Sequence, residues 1–231
     1  MHVILMGPQG SGKGTQAARL APRLGLALIA TGELFRGAIR SETPLGRRIK
    51  EVYDRGELVS DDTTVSLVEE RLDHLASERD LGEAAGGALF DGFPRTKAQA
   101  EALDEVLRAR SEEITVVVRL DVPLEVLIAR LSGRRVCANC GAVYHVVFNP
   151  PKVAGLCDLC GGDLIQREDD TSEAVAKRLA LYASQTEPLL AYYGDRGLVV
   201  AIDGDQAIEA VTDALVQAVE TFRPESTTPH G

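Results

Sequence analysis

Tryptophan is absent from this 231-residue chain, and aromatic residues make up only 4% of it, so intrinsic fluorescence rests on five Tyr. No apolar run approaches the ~20 residues a membrane-spanning helix needs. Positive charge is scarce: 25 Lys and Arg face 35 Asp and Glu, for a net charge of −10. That balance excludes broad binding to nucleic acid or anionic membranes, which require a basic face. It leaves room for a nucleotide, which needs only a local cluster of cations. Met1-His2 leads directly into an apolar strand, so no removable signal peptide is expected and the expected compartment is the cytoplasm. What is present, 45% apolar and 26% charged residues, is ordinary for a globular enzyme with one good-sized core plus an insertion or two.

The most informative segment is the first. Val3-Ile4-Leu5-Met6 runs into Gly7-Pro8-Gln9-Gly10-Ser11-Gly12-Lys13-Gly14-Thr15, a Gly-x4-Gly-Lys phosphate loop between a buried strand and a helix. Glycines let backbone N–H groups turn inward around a polyphosphate, Lys13 adds a mobile cation, and the following helix offers its positive dipole end. The hydroxyl expected directly after the lysine comes one place later, at Thr15, because Gly14 intervenes. A nucleoside triphosphate is the expected ligand.

Strand-like runs at His2–Met6, Ala27–Ile29, Ala88–Phe90, Thr115–Leu120 and Leu198–Ile202 alternate with helical patterns, which predicts a parallel α/β sheet. After the phosphate loop, Ala17, Leu20, Ala21 and Leu24 fall on one helix face. Ser60–Glu78 reads as a helix with Val65, Val68, Leu72 and Leu75 on one face and Asp61 and Asp62 near its start. Two stretches interrupt the alternation: a polar helical one at about 31–60, and one at about 133–170 that holds every cysteine and reads as a small inserted domain. The tail from Arg223 to Gly231 has a disordered composition, and there is no internal repeat.

Cys137-x2-Cys140 and Cys157-x2-Cys160 have the spacing of a four-cysteine zinc ribbon, and a Gly follows each pair. Two disulfides or a redox pair are the alternatives. A cytosolic setting disfavours the first, and the second needs no further CxxC. Ala142–Leu156 contains one Lys and no Arg, so the site reads as a structural staple rather than a nucleic-acid contact.

Phosphoryl transfer also needs cations for the acceptor. Candidates are Arg36 after Thr31-Gly32-Glu33, Arg95 in Asp91-Gly92-Phe93-Pro94-Arg95, and Arg130, Arg134, Arg167 and Arg178. Together with Gly56-Glu57-Leu58-Val59, Gln99, Gly133-Arg134-Arg135, Tyr144-His145, Phe148-Asn149-Pro150-Pro151 and Arg167-Glu168-Asp169-Asp170, these blocks occur in order from residue 1 to about 215. In them the chain resembles the long-form bacterial adenylate kinases, whose own phosphate loop carries the Gly14-Thr15 variation.

The resemblance implies a P-loop nucleoside monophosphate kinase fold, α/β, with a five-stranded parallel sheet and helices on both faces. The core would comprise residues 1–30, 61–129 and 171–222, the AMP-binding domain 31–60, a zinc-binding lid 130–170, and a disordered tail 223–231. Carried over by position, Gly10, Ser11, Gly12, Lys13, Gly14 and Thr15 hold ATP phosphates, with Arg130, Arg134, Val143, Tyr144 and Gln206 also on ATP. Thr31, Arg36, Glu57, Leu58, Val59, Gly92, Phe93, Pro94, Arg95 and Gln99 hold AMP, while Arg167 and Arg178 reach the phosphates on closure. Lys13, Arg95, Arg134, Arg167 and Arg178 are the implied catalytic set. Asp91 would organise Mg2+ through waters, and Cys137, Cys140, Cys157 and Cys160 would hold zinc.

Asp91 could instead cap a loop, Tyr144 either stacks near ATP or packs the lid, and His145 reads as structural. Asp169 and Asp170 are expected to lock arginines or hinges. None of His2, His74 or His230 has an evident acid–base partner in the sequence. The implied activity is ATP + AMP ⇌ 2 ADP by a monomer. The competing readings are a kinase for another acceptor base and a non-enzymatic nucleotide-binding module. The second lacks any use for Arg36, Arg95 and Gln99.

Overall fold

A computed structural model describes residues 1–55, 57–80, 86–166 and 172–223. Expectations for Gly56, Arg167, Glu168, Asp169, Asp170 and the tail from 224 onward lie outside the described residues. The chain opens with β1 (His2–Met6), α1 (Lys13–Leu24) and β2 (Ala27–Ala30). Next come α2 (Thr31–Arg40), α3 (Pro44–Asp54) and α4 (Asp61–Asp80), then β3 (Ala88–Asp91), α5 (Lys97–Ala109), β4 (Ile114–Asp121) and α6 (Leu124–Ser132). A small insertion holds β5 (Arg134–Cys137), β6 (Val143–His145) and β7 (Leu164–Ile165). α7 (Ser172–Leu181), a π-helical turn (Tyr182–Thr186), α8 (Leu189–Gly194), β8 (Val199–Asp203) and α9 (Ile208–Thr221) complete the order. All five expected core strands are present, with ends shifted by no more than one residue.

The five core strands pair in parallel in the order β2-β3-β1-β4-β8, as the α/β reading predicted. β1 lies at the centre, so helices cover both of its faces and all five of its residues are buried. Alternation splits them. Ile4 and Met6 join Phe90 and Val117 against Val68, Leu72 and Leu75 of α4 and Leu103 and Leu107 of α5. Val3 and Leu5 join Val116, Val118 and Leu120 against Leu20 and Leu24 of α1 and Leu215 and Val219 of α9. At ~25 cal/mol per Å2 of apolar surface, each such side chain stabilises the fold by about 1.5–3 kcal/mol.

This frame turns the carboxyl ends of the strands, and the loops that follow them, toward one edge, where open α/β sheets bind ligands. Two satellites flank that edge. Phe35, Ile49 and Val59 form a separate small core among α2, α3 and the segment before α4. The antiparallel sheet β6-β5-β7 has its own, made of Cys137, Tyr144 and Cys157. No helix among the described residues is long and apolar enough to cross a membrane.

Candidate active site

The phosphate loop needs backbone that only glycine adopts freely. Gly10 and Gly12 sit at φ +86° and +95°, and Gly12 caps α1 in the left-handed conformation. Lys13 folds back so that its Nζ donates to the carbonyls of Gly7 (2.7 Å) and Pro8 (2.8 Å). Its pKa falls from 10.5 to about 8. Burial is the main cause; Asp91 opposes it, while Arg95, Arg134 and Arg178 crowd it with like charge. Ser11 Oγ is buried and has no hydrogen-bond partner among the described residues. Gln16 ties α1 to α9, donating to Ile208 O (3.0 Å) and accepting from Thr212 Oγ1 (2.7 Å).

Asp91 ends β3 beside the loop, where a Cβ on Gly14 would lie 3.6 Å from its Oδ2. Burial raises its pKa, against the pull of Lys13, Arg95 and Arg36. The next residues form a compact hydrogen-bonded corner. Gly92 takes φ +74°, and its carbonyl accepts from Thr31 Oγ1 (2.9 Å) and Arg95 Nε (2.7 Å). A side chain at Gly92 would meet Arg95 Nη2 at 3.0 Å and Thr31 Oγ1 at 3.2 Å, so glycine lets these two converge. Arg36 is ion-paired to Glu33 one turn earlier on α2.

Gln99 is 2% exposed, and both ends of its amide are engaged. Its Oε1 accepts from Arg95 N (2.8 Å), and its Nε2 donates to Asp61 Oδ1 (2.7 Å). Asp61 was legible only as a helix-start acid; its hold on Gln99 spans 38 residues and leaves no local signal. Thr186, at the end of the π-helical turn, was likewise missed and donates to Arg95 O (3.0 Å). π-helical turns recur at functional sites, and this one braces the Gly92–Gln99 corner.

On the other side, Arg130 Nη2 donates to Gly204 O (2.9 Å), which draws in the loop carrying Gln206, itself bonded through Nε2 to Asp203 (3.1 Å). Arg134, at the base of the small sheet, and Arg178 of α7 approach the phosphate loop at Gln9. Val143 is exposed on β6, and Tyr144 is turned inward. Arg167 is outside the described residues. His145 is structural, its Nδ1 accepting from Val147 N and Phe148 N (3.0 Å each). His2 corrects the sequence reading: it has an acidic partner, with Nε2 3.1 Å from Glu112. That pair lies at the strand end opposite the phosphate loop.

The four cysteines are free thiols whose sulfurs all lie within 4.8 Å of one another. Sγ–Sγ distances of 3.5 Å join Cys137 to Cys160 and Cys140 to Cys157, one from each CxxC. A tetrahedral zinc with Zn–S of about 2.3 Å spaces its sulfurs roughly 3.8 Å apart, so the donor set fits that ion. Tyr144 packs inside the small sheet: its hydroxyl lies 3.5 Å from Cys157 Sγ and accepts from Asp158 N (2.8 Å). That phenol holds the Cys157 thiol down, to about 6. Tyr144→Phe is therefore expected to speed metal loss to a chelator severalfold, measured by a chromophoric zinc indicator, with the backbone fold unchanged.

A family model described as adenylate kinase matches residues 5–198. The chain belongs to the adenylate kinase family. It is 48% identical over 220 residues to an adenylate kinase of Carboxydothermus hydrogenoformans, covering 95% of this chain and all of the relative. It is 50% identical to those of Moorella thermoacetica (95% and 98% covered) and Symbiobacterium thermophilum (96% and 100%). Adenylate kinase activity, phosphoryl transfer between ATP and AMP, is thus its function, and the site must serve both nucleotides.

Proposed function

We propose that the strand-end edge binds MgATP on the phosphate loop and AMP at the Thr31–Gln99 corner, and transfers the γ-phosphoryl group directly between them. One observation carries this reading: Arg95 and Arg178 from the AMP set and Arg134 from the ATP set all press on the Lys13 ammonium. Donor and acceptor cations therefore meet at one point, as a transfer between two polyanions requires. Ser11 Oγ, buried and unpartnered, suits a phosphate oxygen. An oxygen of the AMP phosphate forms the new bond to Pγ as the bond from Pγ to the β,γ-bridging oxygen breaks, giving two ADP. The attacking oxygen is already anionic, so no general base is needed.

Residues 31–60 form the AMP-binding domain in this reading, 130–170 the lid, and 1–30, 61–129 and 171–222 the core. Glu57, Leu58 and Val59 contribute main chain to AMP. Gly92, Phe93, Pro94 and Arg95 hold its phosphate. Gly10 to Thr15, Arg130, Arg134, Val143 and Gln206 hold ATP, with Tyr144 contributing main chain only, since its side chain is turned inward. Arg36, Arg167 and Arg178 supply charge to the phosphates. Asp91 fits a water-mediated Mg2+ site: a strand-end carboxylate facing the phosphate loop, whose charged form burial now disfavours. Mg2+ would neutralise charge on the β- and γ-phosphates. The four thiolates close a zinc shell and leave no position for substrate, so that metal is structural. The enzyme acts as a cytoplasmic monomer.

Acceptor choice rests on Gln99. With Arg95 N and Asp61 each using one of its bonds, one N–H and one oxygen lone pair remain for an adenine edge. AMP should be preferred over CMP and UMP by roughly 100-fold or more in kcat/KM, since a base that leaves such groups unpaired is rejected. A coupled assay across AMP, GMP, CMP and UMP checks this. Equal use of a pyrimidine monophosphate contradicts the assignment.

A further inference from the structure

Gln9 has no role in the site as described, yet two cationic side chains end on it. A guanidinium can only donate, so the amide presents its oxygen to both: that oxygen lies 3.0 Å from Arg134 Nη2 and 2.9 Å from Arg178 Nη1. Arg134 begins β5 in the small sheet, Arg178 lies on α7, and Gln9 belongs to the phosphate loop. Three separate parts of the molecule are thus joined through one carbonyl oxygen. Like charges held this close repel, and Lys13 nearby adds to the repulsion. We propose that Gln9 is a positioning residue whose neutral carbonyl holds Arg134 and Arg178 together over the phosphate loop, before and during phosphoryl transfer.

The neutrality of the amide matters. A carbonyl dipole stabilises the converged arginines without forming an ion pair that an entering triphosphate would have to break. Each guanidinium has five N–H donors, so phosphate oxygens take others while the carbonyl keeps its own, and the arginines act on the transferring group with little reorganisation, the condition under which fixed charges act best on a transition state. A carboxylate here would hold the same arginines harder and compete with the nucleotide. An apolar side chain would remove the acceptor that both guanidiniums share.

This inference rests on the roles assigned above to Arg134 and Arg178, and the two can fail separately. Unmutated protein that transfers nothing to AMP overturns the proposed function, whereas the Gln9 proposal is judged only by the ratio of each variant to the active unmutated enzyme. Gln9→Leu, which removes the amide and shortens the side chain by one methylene, is expected to lower kcat about tenfold, the scale of a lost hydrogen bond to charged groups. KM for ATP and AMP should stay within about twofold, because the defect lies in positioning rather than in ground-state binding. Gln9→Glu should instead raise KM for ATP roughly tenfold, with the rise shrinking at high salt as screening weakens the new ion pairs.

A double-mutant cycle isolates the coupling. In an Arg134→Ala background, the Gln9→Leu penalty should shrink to about twofold or less, since one of the two arginines to be joined is gone. A side chain that merely packs the loop would give similar losses in both variants, a lower melting temperature, and an undiminished penalty beside Arg134→Ala. That pattern, or wild-type kcat in Gln9→Leu, overturns the proposal.

Discussion

Lys13→Met is expected to lower kcat by roughly 10³-fold or more, the upper range for removal of one preorganised charge-stabilising donor. The ammonium is needed most when charge redistributes between the β,γ-bridging oxygen and the transferring group, so the loss falls on the transition state more than on nucleotide binding. The fold should survive. The side chain gives up two hydrogen bonds to loop carbonyls, but a cation that Arg95, Arg134 and Arg178 crowd is removed as well. Circular dichroism melts within a few degrees of wild type, together with near-normal nucleotide affinity, would separate a chemical defect from a folding one. Near-normal turnover would mean that Lys13 is not at the transferring phosphate.

The pKa of Lys13 adds a pH signature. With the ammonium held at about 8 in the substrate-free protein, kcat/KM for ATP should fall above that pH, and Lys13→Met should lack this limb. Stability takes the opposite sign. Unfolded, the same lysine titrates near its ordinary 10.5, so between about 8 and 10.5 the unfolded chain binds more protons. Over that window this group makes the fold more stable as pH rises. Catalysis and stability should therefore diverge in the same range, and Lys13→Met should flatten both.

The second large effect concerns the small cysteine-bearing sheet. Cys157→Ser should cost most of the zinc affinity and melt the small sheet well below the core. Structural zinc in isolated fingers is worth roughly 10–16 kcal/mol of apparent binding energy at neutral pH. Here the cysteines organise only a cluster of Cys137, Tyr144 and Cys157 flanked by Ala142 and Leu164, so the core should be affected far less. Two transitions should appear in calorimetry where wild type shows one, and phosphoryl transfer should persist at temperatures below the first. Elemental analysis of wild type should give about one zinc per chain, as one four-thiolate site holds one ion. An unchanged melting profile in Cys157→Ser would show that the sulfurs do not staple the small sheet.

What the sequence made legible was whatever leaves a local mark. The five core strands announce themselves by apolar runs, and β1 shows why: buried on both faces, it has no polar position to blur the pattern. The phosphate loop is a contiguous signature, and the cysteines are two spaced pairs. Contacts between distant segments were not legible. Asp61 holds Gln99 across 38 residues, Thr186 holds the Arg95 carbonyl across 91, and Gln9 gathers arginines from two other elements. Each is a single polar contact made only after the sheet has brought strand ends together, and a lone Asp, Thr or Gln carries no periodicity. Tyr144 falls between the two cases. Its place beside the cysteine ribbon was visible, but only the fold shows that its hydroxyl points at Cys157.

The central claim is that a phosphoryl group passes from ATP to AMP inside a site that assembles cations from both sides and does not hand it to water. Phosphorus-31 NMR of the protein with Mg2+, ATP and AMP tests it in one experiment. The account predicts two ADP for each ATP and AMP consumed, an equilibrium reached equally from ADP alone, and no accumulation of inorganic phosphate. Orthophosphate appearing in step with ADP while AMP stays constant would contradict it.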